Sequence, residues 1–345
     1  MLGIISLCIN QGNTLPIATI TAVSLIAGTL LLRYSTLFYS HITASALLIW
    51  GLVLIFRFRQ SSSLPAIAGG VFLLSLAVLV EHLLILVFIP TFIYLLLCCR
   101  DELFTPKYLL TTILAGVLPM SVLMLYNWIC FESPFSLAHF HHSTDTANHS
   151  LSSLFQFERV REVLVNLLFG APKEEVGRQD LTGLISSSPF LIIIAVPLIV
   201  LLKNQQWPKA ETVVTTSAIL LVMLGAASFH SPYGGWDRDY RYFLAVVPLC
   251  APLLASGLTL VTVQPVSSVA KAGKWLALIV FSYLFWVSAE FQFHHIRHAS
   301  QVQYPTPWIN QHAALFNVSL LWIYLAALML LLAITVRASR FSKNH

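Results

Sequence analysis

Apolar runs about as long as a lipid bilayer is thick recur along the whole chain, and they leave it one class of fold. They fall at about 15–32, 37–56, 64–80, 82–99, 108–128, 187–202, 211–229, 242–262, 274–291 and 314–336. About 20 apolar residues of helix cross the hydrocarbon core. Lipid offers backbone groups no partners, so such runs predict helices and not open sheet. Of 345 residues, 57% are apolar and 10% charged, against about 25% charged in a soluble domain. The expected fold class is all-α: a polytopic transmembrane helical bundle of about ten spans. Residues 1–345 are expected to form a single integral-membrane domain with one larger extracytoplasmic loop, 129–186.

The charges then sort to two faces. Alternate connections (1–14, 57–63, 100–107, 203–210, 263–273 and the tail after 336) carry eleven of the nineteen Lys and Arg and only three of the fourteen acids. Short basic loops stay in the cytoplasm, which predicts cytoplasmic N- and C-termini and a multi-pass protein of the plasma (inner) membrane. The opposite face holds eleven acids and eleven of the twelve histidines. Chemistry is therefore expected outside the cytoplasmic leaflet. The net charge of +5 reflects this loop bias. No basic run with interleaved aromatics suggests nucleic acid. Five cysteines without CxxC spacing argue against a disulfide framework or a zinc site.

The run 64–99 is long enough for two spans, and Glu81-His82 at its centre predicts a hairpin tip on the outer face, since both side chains would be costly at mid-membrane. Pro119, Pro197, Pro248 and Pro252 fall inside spans and are expected to kink them. In 154–169, Phe155, Val160, Val163, Leu164 and Leu167 favour one side, as in a helix lying on the outer membrane surface. Residues 1–10 are apolar but too short to span, and read as the last turns of a longer helix.

Candidate chemistry concentrates in a few stretches. Ser231-Pro232-Tyr233-Gly234-Gly235-Trp236-Asp237-Arg238-Asp239-Tyr240-Arg241-Tyr242 is a tight outer loop whose glycines permit close approach to a ligand. Arg241 opens the next span, where a guanidinium and helix N–H groups together suit a phosphate. Asp237 and Asp239 could orient Arg238 and Arg241 or hold a metal; a solvated turn with local ion pairs is the plainer reading. Tyr126-Asn127-Trp128 closes a span as an aromatic belt would. Arg33-Tyr34-Ser35-Thr36 with His41 lies at the outer mouth of the first two spans, where Arg33 meets a lipid phosphate or snorkels. Glu81 and His82 fit a functional role or a satisfied interface equally well. His139, His142 and Asp145 are candidate ligands for a divalent metal, although adjacent histidines point apart on a regular element.

At these residues the chain resembles the C-type glycosyltransferase superfamily, in the branch of the dolichyl-phosphate-mannose protein mannosyltransferases and related bacterial enzymes. The matching stretches are Gly28-Thr29 through Tyr34-Ser35-Thr36 to His41, then Ala68-Gly69-Gly70 to Glu81. They continue with Tyr126-Asn127-Trp128 and Ser133-Pro134-Phe135, and end with Gly234-Gly235-Trp236, Arg241-Tyr242 and Pro248. The resemblance covers about 20–260 and rests on the order of short motifs. It implies inverting transfer from a polyprenyl-phosphate-linked sugar donor to a glycan, lipid or protein acceptor in cell-envelope glycan biosynthesis, with no nucleic-acid partner. Arg241, Arg238 and Arg33 would hold the donor phosphate. Trp236, Tyr240, His41, Tyr126 and Asn127 would line the sugar and lipid. The family's catalytic acid lies in an acidic pair in the first outer loop, whereas here Arg33 to Thr36 contains no acid. The chain is thus expected to lack the family's first spans, and Asp237, Asp239, Glu81 and Asp145 are the only substitutes for the base. Three other readings stay open: a polysaccharide ligase or polymerase using outer Arg and His, a transporter, and a non-catalytic partner that binds lipid phosphate. Span centres almost free of charge argue against an ion-coupled carrier.

Overall fold

The structure, a computed structural model, describes residues 1–35, 40–136, 155–172, 181–204, 209–229, 231–233, 240–262 and 268–303. Among the described residues there is no β-strand. In chain order the helices are α1 (Leu2–Asn10), α2 (Leu15–Ala27), α3 (Leu30–Ser35), α4 (Ser40–Ser61), α5 (Leu64–Val80), α6 (Phe88–Cys98), α7 (Arg100–Leu103) and α8 (Pro106–Phe131). They continue with α9 (Val160–Phe169), α10 (Leu184–Ser187), α11 (Ala195–Asn204), α12 (Ala210–Ser228), α13 (Arg241–Leu244), α14 (Ala251–Thr262) and α15 (Ser268–Gln303). Among the described residues four segments are long and apolar enough to cross a membrane: α4, α8, α12 and Gly273–Phe293 within α15. Shorter apolar helices accompany them. The molecule is a helical membrane protein. The run 314–336 lies outside the described residues.

Several expected spans are not continuous α-helices, and in two of them the sequence supplies the partners that the break requires. The first breaks at Gly28-Thr29, between α2 and α3. Thr29 Oγ1 donates to the Leu25 carbonyl at 2.6 Å and accepts from Leu31 N at 3.2 Å. Gly28 O accepts from Ser188 Oγ at 2.6 Å, and Leu30 N donates to the Tyr240 hydroxyl at 3.1 Å. The second breaks at Pro248. The expected run 242–262 is the short α13, a 3₁₀ turn at Val247–Cys250, and α14. Proline has no N–H for the carbonyl four residues earlier. That carbonyl, Leu244 O, instead accepts from Ser45 Oγ of α4 at 3.2 Å.

The contacts sort the chain into two ends. At one end Lys209 Nζ donates to Gln11 O at 2.8 Å and Thr212 Oγ1 to Gln11 Oε1 at 2.7 Å. Glu211 accepts from Arg59 at 2.7 Å and from the Tyr94 hydroxyl at 3.0 Å. The Tyr108 hydroxyl donates to Ser62 O at 2.6 Å, and Lys274 Nζ to Thr262 O at 2.7 Å. The described parts of the connections at 1–14, 57–63, 100–107 and 203–210 therefore share an end. Because α5 starts and α6 finishes there, Glu81 falls at the other end, as the hairpin reading expects. The chain turns at Glu81, which is extended (φ −140°, ψ 97°), and resumes as a 3₁₀ turn over His82–Val87.

Helix α4 packs against α5 at a point where neither side carries a side chain. A Cβ on Gly70 would lie 2.7 Å from Ile55 Cγ1 and 3.1 Å from the Gly51 carbonyl oxygen. Small residues let membrane helices approach backbone to backbone, and this approach brings the first turn of α4 beside the end of α5. Helix α8 packs on α5 and buries only Pro119 and Asn127, as suits a helix facing lipid. The amphipathic segment differs from expectation in what it lies on. Val163 and Leu167 are buried in the protein core, with Val160 and Leu164 packed beside them, so the predicted side meets the bundle. A second apolar edge, Phe157, Val165 and Phe169, is exposed.

Gly70→Val is expected to push α4 from α5 and cost about 1–3 kcal/mol. Thermal unfolding of the detergent-solubilised protein checks this, and an unchanged midpoint would refute the close-approach argument.

Candidate functional site

The end opposite Arg59 and Lys209 collects the ionisable and aromatic residues that the sequence singles out. Arg33, in the last turn of α3, is 5% exposed, and Arg241, the first residue of α13, is 7% exposed. Neither snorkels to the surface. The Arg33 guanidinium carbon stands 5.9 Å from the centre of the Tyr34 ring, within cation–π range. The Tyr34 ring meets the His41 ring edge-on at 6.1 Å, and His41 meets Tyr242 edge-on at 6.0 Å. Tyr242 in turn meets Phe229 at the end of α12, at 5.9 Å. Phe229 pairs with Phe155, where the chain enters α9.

On its carboxylate side, His41 Nδ1 lies 2.8 Å from Glu81 Oε2. These side chains are 8% and 17% exposed respectively. Arg33, His41 and Glu81, from three separate stretches, thus join Arg241 and Tyr242 in one cluster. Its members come from α3, α4, the α5 terminus and α13, and α13 packs against both α3 and α4.

Beside this cluster an apolar groove of about 190 Å³ runs between α1, α2, α3 and α4. Its walls include Ile4, Ile26, Leu31, Ser35, Ile42 and Trp50. The groove shares helices α3 and α4 with the charged cluster, but Arg33, His41, Glu81 and Arg241 do not line it.

Other expected site residues lie elsewhere or have other surroundings. Tyr240 is completely buried, with its hydroxyl accepting from Leu30 N and Ser187 Oγ 3.4 Å away. Its ring is core, not a wall open to sugar. Arg241 does not open a long helix, because α13 spans only Arg241–Leu244. So short a helix has little macrodipole, and anion attraction there falls to the guanidinium. Tyr126 is exposed at the end of α8, its ring against Phe131 at 6.2 Å. Asn127 is buried and donates locally to Pro134 O at 3.3 Å, closing the turn after α8. Trp236, Asp237, Arg238, Asp239, His139, His142 and Asp145 lie outside the described residues. Among the described residues no group of three His, Cys, Asp or Glu could hold a metal.

Sequence reasoning did not pair His41 with Glu81, which are 40 positions apart, nor find Phe229 or the Asn166–Tyr233 hydrogen bond of 3.1 Å. The glycines of α4 and α5 were the signal for the first pairing. No signal marked the others.

No protein-family model, curated protein or solved structure matches this chain.

Tyr240 and Ser45 are the bolts that hold α13, and with it Arg241, against α3 and α4. Tyr240→Phe strips the acceptor from a buried N–H and is expected to lower stability by about 1–3 kcal/mol. Ser45→Ala should do likewise through Leu244 O. Chemical unfolding in micelles measures both, and wild-type stability in either variant would show that its bolt is dispensable.

Proposed function

We propose that this protein is a membrane glycosyltransferase that moves a sugar from a polyprenyl-phosphate-linked donor to an acceptor on the extracytoplasmic face. The observation that carries the reading is the burial of Arg33 and Arg241 together with His41 and Glu81 at one end of an apolar bundle. Ionisable groups inside a membrane domain are costly and mark functional sites. Guanidinium groups are suited to phosphate, which they bind through paired, charge-assisted hydrogen bonds. An apolar groove on the same helices, α3 and α4, offers a place for the hydrocarbon chain of such a donor. In this reading Arg33 and Arg241 hold the phosphate and stabilise the charge that develops on it as the sugar departs. Arg238 would join them from the adjoining loop, and Trp236 would face the sugar.

The topology belongs to the same proposal. About ten spans cross the plasma membrane, with both termini in the cytoplasm. The end that carries Arg59, Lys209 and Lys274 faces inward by the positive-inside rule. The Arg33–Arg241 end faces outward, where the acceptor is a glycan, lipid or protein.

Arg241→Ala and Arg33→Ala, each in the full chain reconstituted in nanodiscs, are expected to lower sugar release from farnesyl-phosphate hexoses at least about tenfold. Binding of farnesyl monophosphate should weaken in parallel. Unchanged binding and release in both variants would refute the phosphate assignment. Binding without release in the wild type would favour a non-catalytic lipid-phosphate-binding partner.

A further inference from the structure

We infer that the C-terminal half of α9 dips into the lipid leaflet at the Arg33–Arg241 end of the bundle, where acyl chains cover the edge formed by Val165 and Phe169. The inference does not rest on the transferase reading. It concerns a different side of this helix from the one that the sequence pattern favours, because Val163 and Leu167 on that side are taken up by the core.

Two depth markers carry it. Helix α12 has 19 residues, about 28 Å of helix, which matches a hydrocarbon core of about 30 Å. Glu211 at its start joins Arg59 in the polar cluster of one end, so Ser228 at its finish lies at the opposite boundary. The chain entering α9 is fixed there: Gln156 N donates to Ser228 O at 2.6 Å, and Phe155 pairs with Phe229. The other end of α9 lies deeper. A Cβ on Gly183 would strike the backbone of Leu168, Phe169 and Gly170, so these two segments touch. From Gly183 the chain runs through α10 to Ser188, which donates to Gly28 O at 2.6 Å. Gly28 closes α2, whose 13 residues start at the Gln11–Lys209 end and leave it about 10 Å short of the far boundary. The four residues of α10 rise only about 6 Å, so Gly183 and Phe169 stay below that boundary.

The exposed residues change character along α9 in the same sense. Positions 161, 162, 165 and 169 fall on one outward arc of the helix. Arg161 and Glu162 at its start are exposed, as are Glu158 and Arg159 just before them, and Arg159 lies 4.0 Å from Glu162. Val165 and Phe169 at its finish are 50% and 59% exposed. Charge thus lies where the helix leaves the boundary, and apolar surface where it goes deeper. Water would wet both halves alike, whereas a bilayer takes up the apolar half and leaves the charged turn among the headgroups. Helix α12, on which α9 docks, has an exposed apolar stripe of its own at Val213, Leu220 and Leu224, as suits a helix in contact with lipid.

The test uses the full chain in phosphatidylcholine nanodiscs. Arg161→Cys, Val165→Cys and Phe169→Cys are each labelled with a bimane fluorophore, and the parent protein treated in the same way supplies the blank for its native cysteines. Two quenchers are compared: phosphatidylcholine brominated on its acyl chains, and iodide in the water. Labels at 165 and 169 should lose at least about twofold more emission to the brominated lipid than to iodide, and the label at 161 should show the reverse order. Each variant must elute in detergent at the size of the parent. If Phe169→Cys does not, Phe169→Trp, read as the difference in emission from wild type, takes its place. Stronger quenching by iodide at 165 and 169 would overturn the inference, because that edge would then face water. Quenching by neither reagent would also overturn it, as the mark of an edge covered by protein, whether a second copy of this chain or another partner.

Discussion

Inside an apolar bundle a backbone group that leaves its helix has no water to turn to, and this constraint explains most of the unusual contacts in the molecule. At the breaks beside Gly28 and Pro248, a polar side chain from a distant part of the sequence fills the vacancy. Tyr240 serves Leu30 N, Ser188 serves Gly28 O, and Ser45 serves the carbonyl that Pro248 cannot pair. An unsatisfied buried group costs about 1–3 kcal/mol, so each break is permitted only with its partner in place. The partners also staple α2, α3, α4 and α13 into one arrangement. Because the breaks fall beside Arg33 and Arg241, the residues that repair the backbone also fix the positions of the guanidinium groups.

The two ends of the bundle treat charge differently. At the Lys209 end, Arg59 remains half exposed beside Glu211, and Tyr94 completes the carboxylate's partners. Such a pair at a wet boundary costs little to keep, and its contribution is discounted by solvent. At the other end Arg33, Arg241 and His41 are withdrawn among tyrosines and core apolar residues. Withdrawing a charge is costly, and the contrast supports the proposed phosphate role of the Arg33–Arg241 end.

The sequence made the helical class legible because apolar runs report directly on the absence of water. It made the two ends legible because alternate loops must share a face. It also placed Arg33, His41, Glu81 and Arg241 on one side, and the contacts bring them to one end. What it could not convey was which residues serve chemistry and which serve packing. Tyr240 lies in the motif that looks most like a ligand loop, yet its hydroxyl repairs a helix break. The amphipathic 160–169 segment carries the pattern of a surface helix, and the same pattern serves for docking on α12. Periodicity reports an apolar side but not what covers it. The run 242–262 reads as one span kinked at Pro248, and the chain goes further and breaks there, with Ser45 supplying a partner for Leu244 O that no local pattern announces.

The partnership of His41 and Glu81 depends on features that carry no charge. Gly51 and Gly70 leave room for α4 and α5 to meet at backbone distance, and the hairpin at Glu81 then ends level with the first turn of α4. A larger residue at either glycine would separate the helix ends and undo the 2.8 Å approach of His41 to Glu81. The pair therefore depends on helix packing about two turns or more away, and its geometry is inherited from the fold and not made locally.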